Sequence, residues 1–485
     1  MPQLGQRALL LGAANAFDVA IQFLLPVVLV RCLDAAAFGE FRLLWLVAGT
    51  VLAVATLAMP ASLYYYLPRS DAAAKRLYVN QTLAFLVVAG LLAGWAVSSW
   101  NPALPEKLQE LARHEAVVPA FIVLWVIASL LDMLPTAEER VQWQAKATVG
   151  LAVVRAIALS LAAVLTRELG PVLLVLLAFV AFKVALLVAY VARFHGLHGP
   201  VLRVSTFVDQ LRYAAPFGAA GALYGLRTQS DQWVAAALFP LGMFAAFSIA
   251  AVLGPLVNLF RQSVNYAFLP IMSRRQAAGD IADMLALNSR GNIMVGALVF
   301  PLFAFAFVLA EDLVTLVYTA NYLDAAPVIR VYIVGIAALV IELSGVTLLL
   351  RQSVFMMVLN AIALILAATL NWHAAVHIGL AGAAMGSVAV MYLDRFATLW
   401  RISFLTGIPI RRLQDWKTLA LLVLFAALAA LLAWGMVTRY CAASAPLVRV
   451  LVGGAILASA YAALAALSGM GRVWLATVRS RQHGM

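Results

Sequence analysis

Charged and amide side chains stand at helical spacing inside stretches that are otherwise apolar. Asn15, Asp18 and Gln22 follow one another at steps of three and four, as do Asn258, Arg261 and Asn265. Each set therefore falls on one face of a helix. Arg227 and Asp231 are four apart, with Tyr224 one step earlier, and Arg155, Lys183, Glu342, Asp394 and Arg395 stand singly or as neighbours. In a low-dielectric interior an Arg or Lys can hold an anion such as a diphosphate. Amides and Tyr224 can bond to or stack on a sugar, and buried carboxylates such as Asp18, Asp231 and Glu342 can carry a coupling ion. Each residue also has a plainer reading. Arg227 and Asp231 form a structural ion pair, Arg155 and Lys183 neutralise acids such as Asp132, and Glu342 and Arg395 snorkel from positions near helix ends. Asp18 lacks an opposite charge on its own helix, and the amides flanking Arg261 extend a polar face unsuited to lipid. These two are the leading candidates. No catalytic residue set, metal site or cofactor motif is found; His373 and His377 have no acidic or Cys companions.

The elements that carry these residues follow from composition. Of 485 residues, 65% are apolar and 11% charged, against roughly 45–50% and 25% in soluble domains. That excludes a soluble enzyme, a disordered chain and a disulfide scaffold. Long continuous apolar runs also exclude an outer-membrane barrel. Runs of about 20 residues, enough to cross a bilayer, lie near 8–30, 43–67, 77–99, 117–136, 145–165, 171–192 and 213–238. Seven more lie near 242–268, 292–316, 326–350, 354–371, 376–400, 416–438 and 446–468. The net charge of +12 comes from basic residues in short connections, which points to membrane orientation and not to nucleic acid. Of 33 Lys and Arg, five lie deep in the runs; of those in connections and at run ends, twenty lie on the side of the N-terminus and C-terminal tail and eight on the other. The bias predicts that both termini face the cytoplasm.

The expected fold class is an all-α polytopic membrane protein of about 14 transmembrane helices. Two six-helix lobes, 1–194 and 210–405, are joined by a cytoplasmic linker at 195–209, and 406–485 holds two further helices and a tail. An even number of spans per lobe gives a parallel repeat about an axis along the membrane normal. Gly12, Asn15, Asp18 and Gln22 meet Gly221, Tyr224, Arg227 and Asp231 at an offset of 209, with a shift of four as the other register. No hydrophilic stretch is long enough for a soluble domain, and no GxxxxGK[ST] segment occurs, so neither extramembrane catalysis nor ATP hydrolysis is expected. Cys32 and Cys441, near one membrane face, are read as thiols, with a disulfide the alternative.

The segments FLLPVVLVRCLDAAAFGEFRLLW, SLYYYLPR and DLVTLVYTANYLDAAPVIRVY resemble the polysaccharide-transporter branch of the multidrug/oligosaccharidyl-lipid/polysaccharide (MOP) exporter superfamily, which includes Wzx-type O-antigen flippases. The resemblance implies alternating access, with helices 1, 2, 7 and 8 lining a central cavity. It also implies a polyprenyl-diphosphate-linked oligosaccharide as substrate, the inner membrane as location, and a polysaccharide polymerase and chain-length regulator as companions. Fourteen helices also suit the lipid II flippases, and a drug/cation antiporter of the same superfamily is a further alternative. A membrane glycosyltransferase would need a large extramembrane loop that is absent. The interior holds Arg155, Lys183, Arg227, Arg261 and Arg395 against Asp18, Asp231, Glu342 and Asp394, a narrow cationic excess that favours an anionic substrate.

Overall fold

The computed structural model describes residues 2–196 and 199–468, and every regular element among them is helical. The tail at 469–485, assigned above to the cytoplasmic side, and residues 197–198 of the expected linker lie outside the described residues. The chain divides into two compact units, residues 1–248 and 249–485.

The first unit contains α1 (Pro2–Cys32), α2 (Ala35–Ala55), α3 (Met59–Tyr66), α4 (Ala72–Ala96), α5 (Glu106–Ala112) and α6 (Val117–Ala128). It continues with α7 (Leu134–Ala137), α8 (Val141–Thr166), α9 (Leu169–Phe194) and α10 (Val204–Leu238), and the division falls within α11 (Leu241–Ala250). The second holds α12 (Leu253–Ala277), α13 (Ile281–Val308), α14 (Ala310–Val317), α15 (Ala325–Leu339), α16 (Ser344–Leu349) and α17 (Ser353–Ile378). It ends with α18 (Gly382–Thr406), α19 (Ile410–Leu413), α20 (Trp416–Tyr440) and α21 (Pro446–Leu467). Cys32 and Cys441 are free thiols.

Helix starts are set locally. The carboxylates of Asp34, Asp71, Asp280 and Asp415 accept hydrogen bonds from the amides of Ala37, Ala74, Asp283 and Thr418 at 2.7, 2.8, 3.2 and 3.0 Å. Each satisfies an amide that the first turn leaves without a partner. Large apolar side chains such as Leu165, Ile365 and Leu451 face outward, as expected of a surface solvated by lipid.

Each of the fourteen expected runs falls on helix, but among the described residues ten helices are both long and apolar enough to cross a membrane. The shortfall is in 213–238, 242–268, 326–350 and 376–400. Helices α10, α12 and α18 hold the interior charges Arg227, Asp231, Arg261, Asp394 and Arg395. The run at 326–350 is interrupted: α15 stops at Leu339 and α16 resumes at Ser344. Thus three of the four runs that fall short carry interior charges, and the fourth is broken.

Residues 195–209, expected to separate two lobes, fall inside the first compact unit. The physical reason is the docking of α10. Gly218 of α10 packs so closely on α2's end that a Cβ would sit 2.4 Å from the Leu57 carbonyl carbon. At Gly225 a Cβ would lie 2.8 Å from that of Ala53. Small residues let helix backbones approach in this way where no water drives association. A buried amide network adds to it. Gln210 Nε2 donates to Ser62 Oγ at 2.7 Å and Thr82 Oγ1 at 2.9 Å, while Gln81 Nε2 donates to Gln210 Oε1 at 2.5 Å.

An internal repeat is visible in the interruptions. The run at 117–136 breaks after α6, passes through a 3₁₀ turn at Ser129–Asp132 and resumes as α7 at Leu134. Ser344 lies 210 positions after Leu134, and Glu342 lies 210 positions after Asp132. The next helices, α8 and α17, are both 26 residues long and begin 212 apart. Both are followed by a residue with positive φ, Arg167 at 55° and Gly379 at 91°, again 212 apart. The two interruptions thus occupy corresponding places in a duplicated arrangement.

Candidate functional site

In the first unit, α1 and α8 pack together and bring Asp18 to Arg155. Arg155 Nη2 donates to Asp18 Oδ1 at 2.8 Å, and Gln22 Nε2 donates to Asp18 Oδ2 at 2.8 Å. Asp18, which has no opposite charge on its own helix, finds its cation 137 positions away on another helix, beyond the reach of same-helix spacing. Asn15 is on the exposed side of α1. Lys183 Nζ reaches Asp132 at 2.8 Å and sits over the Trp125 ring at 5.2 Å. The ammonium end is buried, with the Lys side chain 8% exposed, whereas Asp132 is 55% exposed. Both cations expected to line a cavity are therefore held by carboxylates of their own unit.

Asp231 is buried and its Oδ1 accepts from the Gln232 amide at 2.7 Å; Arg227 is half-buried and Tyr224 exposed. On the same helix, Trp233 Nε1 donates to Thr50 Oγ1 at 2.9 Å, and Thr50 donates to Gln229 Oε1 at 2.6 Å. That chain fixes the rotation of α10 against α2.

The densest polar site lies in the second unit, at the interruption between α15 and α16. Irregular backbone is tolerated at membrane depth only where protein partners satisfy it or a cavity is lined by it. Here the partners are asparagines of α13. Asn292 Oδ1 accepts from the Glu342 amide at 3.1 Å, and Asn288 Nδ2 donates to the Glu342 carbonyl at 3.0 Å. Asn292 Nδ2 also donates to that carbonyl at 3.4 Å and to Gln414 Oε1 at 3.0 Å.

The Glu342 side chain bridges two directions. One oxygen lies 2.7 Å from Arg261 Nε, and the other accepts from the Ser344 amide at 2.7 Å. Arg261 Nη2 donates to Asn258 Oδ1 at 2.7 Å, and its Nη1 donates to the Leu339 carbonyl at 3.2 Å. Asn265 Nδ2 donates to Ser344 Oγ at 3.3 Å. The stripe Asn258–Arg261–Asn265 thus faces the interruption as one surface. A narrow recess of about 10 Å³ lies beside it, lined by Arg261, Asn265, Phe268, Asn288, Asn292 and Glu342.

Snorkelling by Glu342 is overturned: with side-chain exposures of 10% and 9%, Arg261 and Glu342 are a buried pair. The broken helix places the carboxylate among protein groups, where a continuous helix would have placed it near an end. Arg395 is near enough to act on Glu342 electrostatically and lies 3.9 Å from its neighbour Asp394.

Sequence reading missed Asn288, Asn292 and Gln414. Asn288 and Asn292 carried a usable signal, being four apart in an apolar run. A second missed cluster joins the connection at 138–140 to the end of α9. Glu138 meets His195 Nε2 at 2.5 Å, accepts from the Tyr190 hydroxyl, and lies 3.5 Å from Arg140 Nε. Burial works to raise the Glu138 carboxyl, but the bonds from His195 and Tyr190 and the charge of Arg140 outweigh it. They hold the group below the usual carboxylate value. Among the described residues, no three His, Cys, Asp or Glu side chains gather as for a metal ion.

The sequence matches no protein-family model and no curated protein. Solved structures do resemble it. The lipid II flippase MurJ, in an inward closed conformation, is similar over 96% of this chain and 100% of its own, with TM-score 0.75 and 11% identity. An inward-facing multidrug resistance MATE family transporter of the MOP superfamily is similar over 80% of this chain and 96% of its own, with TM-score 0.64 and 13% identity. A MOP superfamily transporter from Pyrococcus furiosus is similar over 82% and 96%, with TM-score 0.54 and 13% identity. At these identities the likeness is one of architecture, and the chain has the fold of the MOP-superfamily transporters MurJ and MATE.

Proposed function

We propose that this protein is a flippase that moves a polyprenyl-diphosphate-linked oligosaccharide from the cytoplasmic to the periplasmic leaflet of a bacterial inner membrane. In this reading it works by alternating access, carries out no chemical step on its substrate, and is oriented with both termini in the cytoplasm. The observation that carries the reading is the extent of the likeness to MurJ. That match leaves out 4% of this chain, fewer residues than the 25 of α20 and 22 of α21. The likeness to the MATE transporter stops at 80%. The full-length match favours a lipid-linked diphosphate over the drug or cation of an antiporter.

The site chemistry supports the same substrate class. A diphosphate in a dry interior needs charge-assisted hydrogen bonds, which the planar Arg fork supplies. Arg261, with Asn258 and Asn265, sits beside a recess and is the strongest candidate; Arg227 with Tyr224 comes second. Arg155 and Lys183 are committed to Asp18 and Asp132, which makes them positioning groups of the first unit. Asp18, Asp231 and Glu342 are the carboxylates that an ion gradient would act on. The sugar travels through the polar interior while the polyprenyl tail stays in lipid. Lipid II shares the diphosphate and differs in head group, so it is the second reading.

Reconstitution into vesicles tests both. Labelled polyprenyl-diphosphate oligosaccharide, lipid II and a cationic dye are each followed by their exposure to an impermeant quencher. Flipping of the first, lost in Arg261→Ala and partly kept in Arg261→Lys, is the expected result. Movement of the dye alone would refute the flippase reading, and movement of lipid II alone would reassign the head group.

A further inference from the structure

We propose that the recess beside the α15–α16 interruption is an oxyanion site in which Glu342 occupies Arg261 until a diphosphate displaces it. This deepens the flippase reading and rests on its diphosphate substrate. Three oxygens surround the Arg261 guanidinium: Glu342 lies 2.7 Å from Nε, and Asn258 at 2.7 Å and the Leu339 carbonyl at 3.2 Å accept from its Nη atoms. Two of these are neutral and fix the guanidinium plane. The third is a carboxylate oxygen, an anionic acceptor of the kind that a phosphate oxygen also supplies.

Glu342 is suited to be the group that yields. It lies on the non-helical stretch 340–343, held by side chains of α13 instead of by a helical ladder. Releasing its side chain breaks no helix. Arg395 lies within electrostatic reach, so a displaced carboxylate is not left in an apolar place without a cation.

The corresponding place in the first unit argues for assigning the exchange to the second. There Asp132 pairs with a lysine of α9, and its side chain is more than half exposed. Lys lacks the planar fork that suits phosphate oxygens. Displacing the Glu342 side chain would release the Ser344 amide that its other oxygen holds, linking occupancy of the anion site to the start of α16. An ion pair that is exchanged in each cycle also explains how a buried charge survives the empty state, since an unpaired buried Arg is costly.

The test is direct binding to the purified full-length protein in detergent, by calorimetry, with inorganic diphosphate and with farnesyl diphosphate as probes. Glu342→Gln removes the competing charge while keeping an acceptor for the Ser344 amide. It is expected to bind both probes about tenfold more tightly than wild type, a change of about 1.4 kcal/mol, and to lose flipping turnover. Arg261→Ala and the double variant Arg261→Ala/Glu342→Gln should bind neither. If Glu342→Gln fails to fold, Glu342→Asp, whose shorter reach weakens the pair, is read in the same way. A merely structural Glu342 would give unchanged or weaker binding in both variants, and that result overturns the proposal. Retained binding in Arg261→Ala also overturns it. Binding of inorganic diphosphate alone would support an oxyanion site and remove the lipid as its ligand. Failure of this inference is separable from failure of the flippase reading, because the vesicle assay on wild type reads the latter independently.

Discussion

Replacing Asn292 by Leu tests whether the interruption at 340–343 is held by its neighbours or arises from its own residues. Asn292 accepts from the Glu342 amide at 3.1 Å and donates to Gln414 Oε1 at 3.0 Å, and it is almost fully buried. Leucine fills a similar volume, so cavity formation contributes little. It leaves the Gln414 side-chain oxygen without its Asn292 donor, costing about 1–3 kcal/mol, and leaves the Glu342 amide only the Val340 carbonyl at 3.0 Å. Asn288 still serves the Glu342 carbonyl at 3.0 Å. The apolar gain of the leucine offsets part of the loss, so the net destabilisation expected is about 1–2 kcal/mol. Thermal unfolding in detergent at a fixed protein-to-detergent ratio measures it, and amide exchange at 340–343 should rise in parallel. A loss below about 0.5 kcal/mol, the level of an ordinary surface change, together with wild-type protection at 340–343, would refute the reasoning.

The same accounting applies elsewhere. Asp18→Ala and Arg155→Ala should each cost about 1–3 kcal/mol, while Asp18→Asn/Arg155→Gln loses less than their sum because no charge is left buried alone; strictly additive losses would deny the pairing. Gly218→Ala should destabilise by about 1–3 kcal/mol through overpacking, since its Cβ would meet the Leu57 backbone at 2.4 Å; an unchanged melting temperature would show that α10 can retreat from α2 at no cost. For Glu138, the folded carboxyl titrates below its unfolded value, which is about 4.3. Its contribution is therefore fully present above that value and is lost as pH falls through the lower folded value. Glu138→Gln should remove this part of the acid-side loss of stability, and an identical pH profile in the variant would contradict the assignment.

The runs of apolar residues and the four aspartates at helix starts are properties of contiguous sequence, so span positions and helix entries were readable directly. Spacing also placed Asn258, Arg261 and Asn265 on one face, which is where the structure has them. What spacing could not supply was the partner of each face. Asp18 is completed by Arg155 on α8, and Arg261 by Glu342, 81 positions along the chain. The break between α15 and α16 was illegible for the same reason. The stretch IVGIAALVIELSGVTLLL reads as one continuous apolar helix, and the groups that make a break tolerable are Asn288 and Asn292, some 50 positions earlier. The same holds for residues 195–209, whose polarity suggested a boundary. Glycine contacts and the Gln81–Gln210 bond tie α10 into the first unit. Local hydrophobicity decides that a segment becomes a helix in lipid, because the backbone must satisfy itself there. Which charges are neutralised and where a helix can afford to stop depend on side chains brought close only by packing.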